Sequence, residues 1–270
     1  MTPALLSHSV FVLPTSLAAS PLWSFTIYSA HHLVLTLVCA WVTWIVIRYA
    51  RTVRGTPSER HVRATWAVMT LGGELGSTII WALPVRYARD VSWPLHLCDY
   101  AAWLAAVAML SPYRWPRTLL FFWGLGLSTQ GFFTPTVETG LLSAEYWVFW
   151  VQHLGVVGGA VYLAAVNRYR PTLRDLAFAI GATLVLVAFM VWLNREAGTN
   201  YMYLGDQLPD TPTLLDVLGP YPGRIGWIVL LGVVGFSLTY LGSEIIHRLA
   251  GVRGQQATNA NSPTGSGRCH

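Results

Sequence analysis

Lysine is absent from this 270-residue sequence, and charge of either sign is scarce: charged residues make up 11% of the chain. A water-soluble domain carries about a quarter charged residues, so that class is excluded. All 17 basic residues are arginine, which reads as codon usage rather than as a nucleic-acid surface, and no nucleic-acid partner is expected. Cysteine is nearly absent too. Cys39, Cys98 and Cys269 are too few and too scattered for a disulfide framework or a paired-cysteine zinc site. No Lys or Arg occurs in the first 25 residues, so the basic start of a cleaved signal peptide is missing. No internal repeat is visible. What the chain has instead is apolar bulk, 54% hydrophobic, with 13 Trp and 12 Tyr, the residues that gather at membrane–water interfaces.

A helix crosses the hydrocarbon with about 20 mostly apolar residues, and seven segments qualify: roughly 30–49, 64–83, 94–111, 115–131, 143–166, 173–193 and 223–247. The expected fold is all-α, a multi-pass seven-helix transmembrane bundle over 30–247, with an N-terminal segment 1–29 outside and a disordered tail 248–270 inside. Arginine sets the orientation. Loops 48–63, 111–117 and 167–174 hold five, two and three arginines, and three more follow His247. The loops of the other side hold four: Arg86, Arg89, Arg195 and Arg224. By the positive-inside rule the N-terminus is outside a cell membrane and the C-terminus is cytoplasmic. The outer connection 194–222, "NREAGTNYMYLGDQLPDTPTLLDVLGPYP", is too long to be a passive link. It is expected to form an ordered lid, with Asn200, Tyr201 and Tyr203 as polar tips and Leu214, Leu215 and Leu218 packed down on the bundle.

Ionisable groups inside spans are costly and usually face the bundle interior, so each is a candidate site residue. They are Glu74 in the second span, His96, Cys98 and Asp99 in the third, and Gln152 with His153 in the fifth. Thr129 and Gln130 close the fourth span, and His31 and His32 open the first. In "WPLHLCDYAAWLAA" a helix starting near Pro94 puts His96 and Asp99 on one face, where the carboxylate would fix the imidazole. Cys98 points about 100° away from Asp99, so its base would come from another helix, and His153 is the available donor. A nearby helix N-terminus favours a thiolate at Cys98, whereas Asp99 opposes it as a like charge. Reckoned from the helix starts, Cys98 is shallower than His153. Structural readings stand beside each of these. Cys39 lies in an apolar run and reads as packing. His153 alone can be a satisfied buried group, and Glu74 in "LGGELGS" can be the buried partner of a histidine where small residues let helices close up. At least one of His31 and His32 is expected to be merely solvated.

The segments "PLHLCDYAAWLAA", "YWVFWVQH" and "GTNYMYLGDQLPDTPTLLDVLGPYP" resemble the YwaF-type family of bacterial integral membrane proteins, over about residues 20–247. That family is similar in turn to a eukaryotic transmembrane acyltransferase that loads polyunsaturated acyl chains onto lyso ether-phosphatidylethanolamine. The resemblance implies an intramembrane cysteine nucleophile with a histidine, at Cys98 and at Gln152-His153. The androgen-regulated intramembrane lipid hydrolases are also similar, but they use a threonine–histidine pair. No such threonine opens the third span here, so only the cysteine version carries over.

Three functions follow. The first is a lipid-modifying enzyme acting by acyl transfer or ester hydrolysis. Cys98 and His153 would be catalytic, and His96, Asp99, Glu74, Gln130, Gln152, Asn200 and Tyr201 would bind or support. Its partners would be membrane lipids, with a lysophospholipid or acyl ester as substrate, and it would need no cofactor. Gln130 or Asn200 would be its oxyanion donors. The second is a zinc-dependent lipid hydrolase on His96, Cys98, Asp99 and His153, although no two histidines fall at i,i+4 on one helix. The third is a carrier or other non-catalytic membrane protein with a buried polar core, against which the missing repeat and the single lidded face argue.

Overall fold

The computed structural model describes Leu22 and residues 24–89, 92–206 and 217–260, the last ten as backbone only. It is all-α, and no β-strand occurs among the described residues beyond one isolated bridge, Ser24 to Thr139. Seven helices carry the bundle: α1 (Ala30–Thr52), α2 (Pro57–Ala82), α3 (Leu97–Leu110), α4 (Arg114–Trp123), α5 (Ala144–Ala165), α6 (Leu173–Ala197) and α7 (Gly223–Ala260). α1, α5, α6 and the Gly223–Ala250 part of α7 are each long and apolar enough to cross a membrane. The chain is a multi-pass membrane protein. α7 runs to Ala260, past the expected end of the last span, and residues 261–270 with Cys269 lie outside the described residues.

Local signals set the ends. The Ser29 hydroxyl accepts from the His32 amide at 3.2 Å and caps α1. Thr172 and Asp175 form a capping box at the start of α6, and Gly198, with φ +63, closes that helix in the left-handed conformation. Asp175 also takes Arg114 at 2.9 Å and Thr118 at 3.1 Å, which ties the start of α4 to the start of α6. On the same side Arg170 pairs with Glu244 at 2.9 Å.

The core is the seam between α2 and α5, and small residues make it. A Cβ on Gly73 would lie 3.0 Å from the Gln152 amide nitrogen, and one on Gly158 would lie 2.5 Å from the Trp66 ring. Trp66 Nε1 donates to the Gly155 carbonyl at 2.9 Å, so the two backbones approach with a polar tie between them. α3 packs against both helices, burying Ala101, Ala102, Ala105 and Ala108 at 3% exposure or less.

α3 differs from the sequence expectation in length and depth. It has 14 residues, roughly 21 Å at 1.5 Å per residue, and starts at Leu97 rather than near Pro94. The stretch before it is not helical, and α3 begins level with a point two turns into α5 rather than with the start of that helix. α4 is interrupted as well. After Trp123 it widens into a π-helical turn, Gly124–Ser128, and ends in a single turn, Gln130–Phe133. The glycines there admit neighbours: a Cβ on Gly124 would meet Ala160 at 2.7 Å, and one on Gly126 would meet Phe236 at 2.8 Å.

The seam makes a paired prediction. Gly155→Ala places a Cβ 2.2 Å from the Thr70 hydroxyl and should destabilise the protein by about 1–3 kcal/mol. Gly159→Ala, whose Cβ has its nearest neighbour at 3.4 Å, should be tolerated. Thermal unfolding in detergent separates the two, and equal melting temperatures would contradict the seam.

Candidate functional site

His96 is the N-cap of α3 and Asp99 its third residue. The Asp99 carboxylate fixes the His96 backbone amide, at 2.8 Å, and not its imidazole as expected. Such a carboxylate satisfies an otherwise orphaned N–H and sits where the helix dipole favours negative charge. The His96 ring turns the other way: its Nδ1 accepts from the Met202 amide at 3.4 Å, and its face lies against Tyr201 at 5.3 Å.

Cys98 is half-buried on the same first turn, and its thiol donates to Asp99 Oδ1 at 3.6 Å. Asp99 Oδ1 also accepts from Gln152 Nε2 at 3.1 Å, and Gln152 Nε2 is bonded to Glu74 Oε2. Thr78 donates to the other Glu74 oxygen at 3.4 Å. Glu74 and Gln152 are 1% and 3% exposed. Cys98, Asp99, Gln152 and Glu74 therefore form one hydrogen-bonded chain across α3, α5 and α2. The partner of Glu74 is an amide, not the expected histidine.

His153 follows Gln152 on α5 and is buried. Its Nδ1 lies 2.9 Å from the Phe149 carbonyl. A carbonyl only accepts, so Nδ1 carries the hydrogen, and Nε2 of the neutral ring keeps its lone pair. The ring stacks on Phe149 at 4.1 Å and meets Phe132 edge-on at 6.5 Å. Nε2 faces Gly131, where an added Cβ would lie 2.5 Å from it. No hydrogen bond joins Cys98 to His153 among the described residues. The depth mismatch inferred from helix starts is resolved by the inset start of α3. Asp99, in the first turn of α3, lies level with Gln152, two turns into α5.

Gly131 was not legible beforehand, since a glycine near a span end has no distinctive spacing. The π-helical turn presents it, by offsetting the last turn of α4 onto His153. His32 holds that turn from the other side. It takes the Tyr28 amide at Nδ1, 3.0 Å, and donates from Nε2 to the Phe132 carbonyl, 3.0 Å. His31 bonds the Tyr146 hydroxyl at 2.7 Å, so neither histidine is merely solvated. Cys39 is buried in an aromatic cluster with Phe25, Tyr146 and Trp150.

The described part of the long connection is folded down onto α3. Asn194 donates to the Tyr201 carbonyl at 2.8 Å and accepts from the Tyr201 amide at 2.9 Å. Tyr201 is a buried plug, 2% exposed, rather than a polar tip. Its hydroxyl donates to the Arg89 carbonyl at 2.5 Å and accepts from the Trp93 amide at 3.1 Å. Met202 and Tyr203 carry positive φ, 58° and 59°, which puts strained backbone directly over His96. The Asn200 carboxamide oxygen accepts from Gly205 at 2.9 Å and from Arg224 at 3.4 Å, so it is engaged within the loop. Gln130 is exposed. Leu218 is half-buried, and Leu214 and Leu215 lie outside the described residues.

No group of three or more His, Cys, Asp and Glu side chains among the described residues is arranged to share a metal ion. His96 turns toward the loop and His153 toward Gly131, so the donors of the zinc reading point apart.

A profile of the TMEM164 family matches residues 26–240 of the chain, which takes in the first six helices, the first half of α7 and the site. No curated protein and no solved structure matches it.

Proposed function

The chain belongs to the TMEM164 family, and we propose that it is an intramembrane acyl-transfer enzyme acting on lipid esters, with Cys98 as nucleophile and His153 as base. The observation that carries this reading is the position of Cys98. Half-buried, it sits on the first turn of α3, in one polar cluster with the residue preceding His153. The surrounding surface suits a lipid substrate, because α2 exposes Leu75 and Ile79 alongside Glu74. An ester whose acyl chain stays in the bilayer needs no aqueous tunnel to reach such a thiol.

The chemistry runs in two halves. The sulfur electron pair of Cys98 attacks the ester carbonyl carbon, an S–C bond forms, and the carbonyl pair moves to oxygen. When that intermediate collapses the C–O bond breaks, and the departing lysolipid oxygen takes the proton that the Cys98 thiol gave up on attack. The acyl group is then a thioester on Cys98. In the second half the hydroxyl of water or of a lysolipid attacks the thioester while His153 Nε2 takes its proton, and the Cys98 sulfur leaves and is reprotonated. The fixed tautomer supports this role, since Nδ1 is held by Phe149 and the lone pair of Nε2 remains available.

A phospholipid with an alkyne-tagged acyl chain tests the proposal. Incubated with the purified protein it should leave a hydroxylamine-labile label on Cys98, absent in Cys98→Ala. In His153→Ala the label should accumulate while release of acylated product falls by about 10²–10⁴-fold. Lipid turnover that persists in Cys98→Ala would sink the reading.

We also propose that the N-terminus lies outside and the α7 C-terminus in the cytoplasm, from the arginine bias of the loops. Reporter fusions at Gly205 and Gln255 should report opposite compartments. The same compartment for both would mean that a crossing has been miscounted.

A further inference from the structure

We infer that Glu74 and Asp99 form a carboxyl pair holding one proton between them, and that this pair, not His153, exchanges a proton with Cys98. The inference deepens the acyl-transfer reading and rests on it for its place in a reaction.

The geometry begins at one nitrogen. Gln152 Nε2 donates to an oxygen of Glu74 and to an oxygen of Asp99, which sets the two carboxyls within roughly 6 Å of each other. The ion pairs among the described residues are Arg86–Glu145, Arg114–Asp175 and Arg170–Glu244, and none includes Glu74 or Asp99. The other titratable groups nearby are a tyrosine and two histidines. Tyr100 follows Asp99 on α3, the His96 ring accepts from Met202 through Nδ1, and His153 has its Nδ1–H on Phe149. Two carboxylates this close in a low-dielectric interior do not both ionise.

The hydrogen bonds assign the proton. Asp99 accepts from the His96 amide at one oxygen and from Gln152 and the Cys98 thiol at the other, so donors occupy both of its oxygens. Glu74 lies in the middle of α2, 1% exposed, with only Gln152 and Thr78 as partners. Glu74 keeps the proton.

This arrangement removes the objection that acids beside Cys98 oppose a thiolate. The thiol proton passes along its existing hydrogen bond to Asp99 Oδ1. One negative charge then moves from Asp99 to the sulfur, and the net charge of the site stays the same. Transfer to the His153 imidazole would instead separate a positive from a negative charge in a medium where separation is costly. When the tetrahedral intermediate collapses, Asp99 returns its proton to the departing lysolipid oxygen and is a carboxylate again. In the second half His153, facing Gly131, takes the proton of the acceptor hydroxyl and releases it to Asp99. Asp99 returns it to the departing Cys98 sulfur, so that each half ends with the carboxylate restored.

Two measurements that need no lipid turnover test the pair. Infrared spectra of the wild-type protein at neutral pH should contain a buried carboxylic-acid C=O band, lost in Glu74→Gln and retained in Asp99→Asn and Cys98→Ala. Alkylation of Cys98 by a membrane-permeant haloacetamide should slow by about 100-fold in Asp99→Asn and stay near the wild-type rate in Glu74→Gln and His153→Ala. Asparagine at 99 retains an oxygen for the His96 amide, so the helix start is preserved. A faster reaction in Asp99→Asn would mean that the carboxylate only repels the thiolate. A loss in His153→Ala equal to that in Asp99→Asn would return the role to histidine. Either result, or the absence of the wild-type band, overturns the inference. If both measurements hold while no thioester forms on lipid, the carboxyl pair stands and the acyl-transfer reading falls.

Discussion

The amide nitrogen of Gln152 joins three helices at one point, with Glu74 on α2 and Asp99 on α3 both bonded to it from α5. Buried polar groups this deep in a membrane protein have no water to turn to, so each must find its partner within the fold. The rest of the site follows from that demand. Gly73, Gly155 and Gly158 thin the α2–α5 seam until a glutamate and a glutamine can meet. The inset start of α3 brings Asp99 level with Gln152, and Cys98 arrives beside them because it is the preceding residue. The Tyr201 plug ties down the stretch before α3 through the Arg89 carbonyl and the Trp93 amide.

A division of labour within the site follows from the same contacts. The polar chain Cys98–Asp99–Gln152–Glu74 is continuous by hydrogen bonds, whereas His153 shares the cluster only through its neighbour Gln152. Its ring is fixed by Phe149, Phe132 and the close backbone of Gly131. One end of the site thus holds a thiol hydrogen-bonded to a carboxylate, and the other presents a single imidazole nitrogen.

Composition and apolar run length carried the all-α class and the number of helices, because the bilayer imposes a length on each span. The polar residues in the spans also declared themselves, since Glu74, Asp99 and Gln152 have no reason to lie there unless they meet. Depth and direction were not legible. Equal helix starts are a reasonable default for full spans, but α3 has 14 residues, and nothing in "WPLHLCDY" marks the descent before it. His96 and Asp99 do lie three apart, yet at a helix start that spacing makes a cap to the backbone rather than a side-chain pair. Tyr201 read as a surface tip, because its burial depends on the Arg89 carbonyl and the Trp93 amide, more than 100 residues away. Gly131 gave no signal, since its role is to leave room for a ring that belongs to α5.

A double-mutant cycle on Gln152 and Glu74 tests the three-helix junction most directly. Unfolding free energies in detergent would be compared for the wild type, Gln152→Leu, Glu74→Gln and the double variant. If the amide joins the helices as described, the two changes are coupled by about 0.5–3 kcal/mol, with Gln152→Leu alone the more damaging. Effects that add within about 0.5 kcal/mol would mean that the two side chains do not depend on each other, and the junction would not be what holds Cys98 in place.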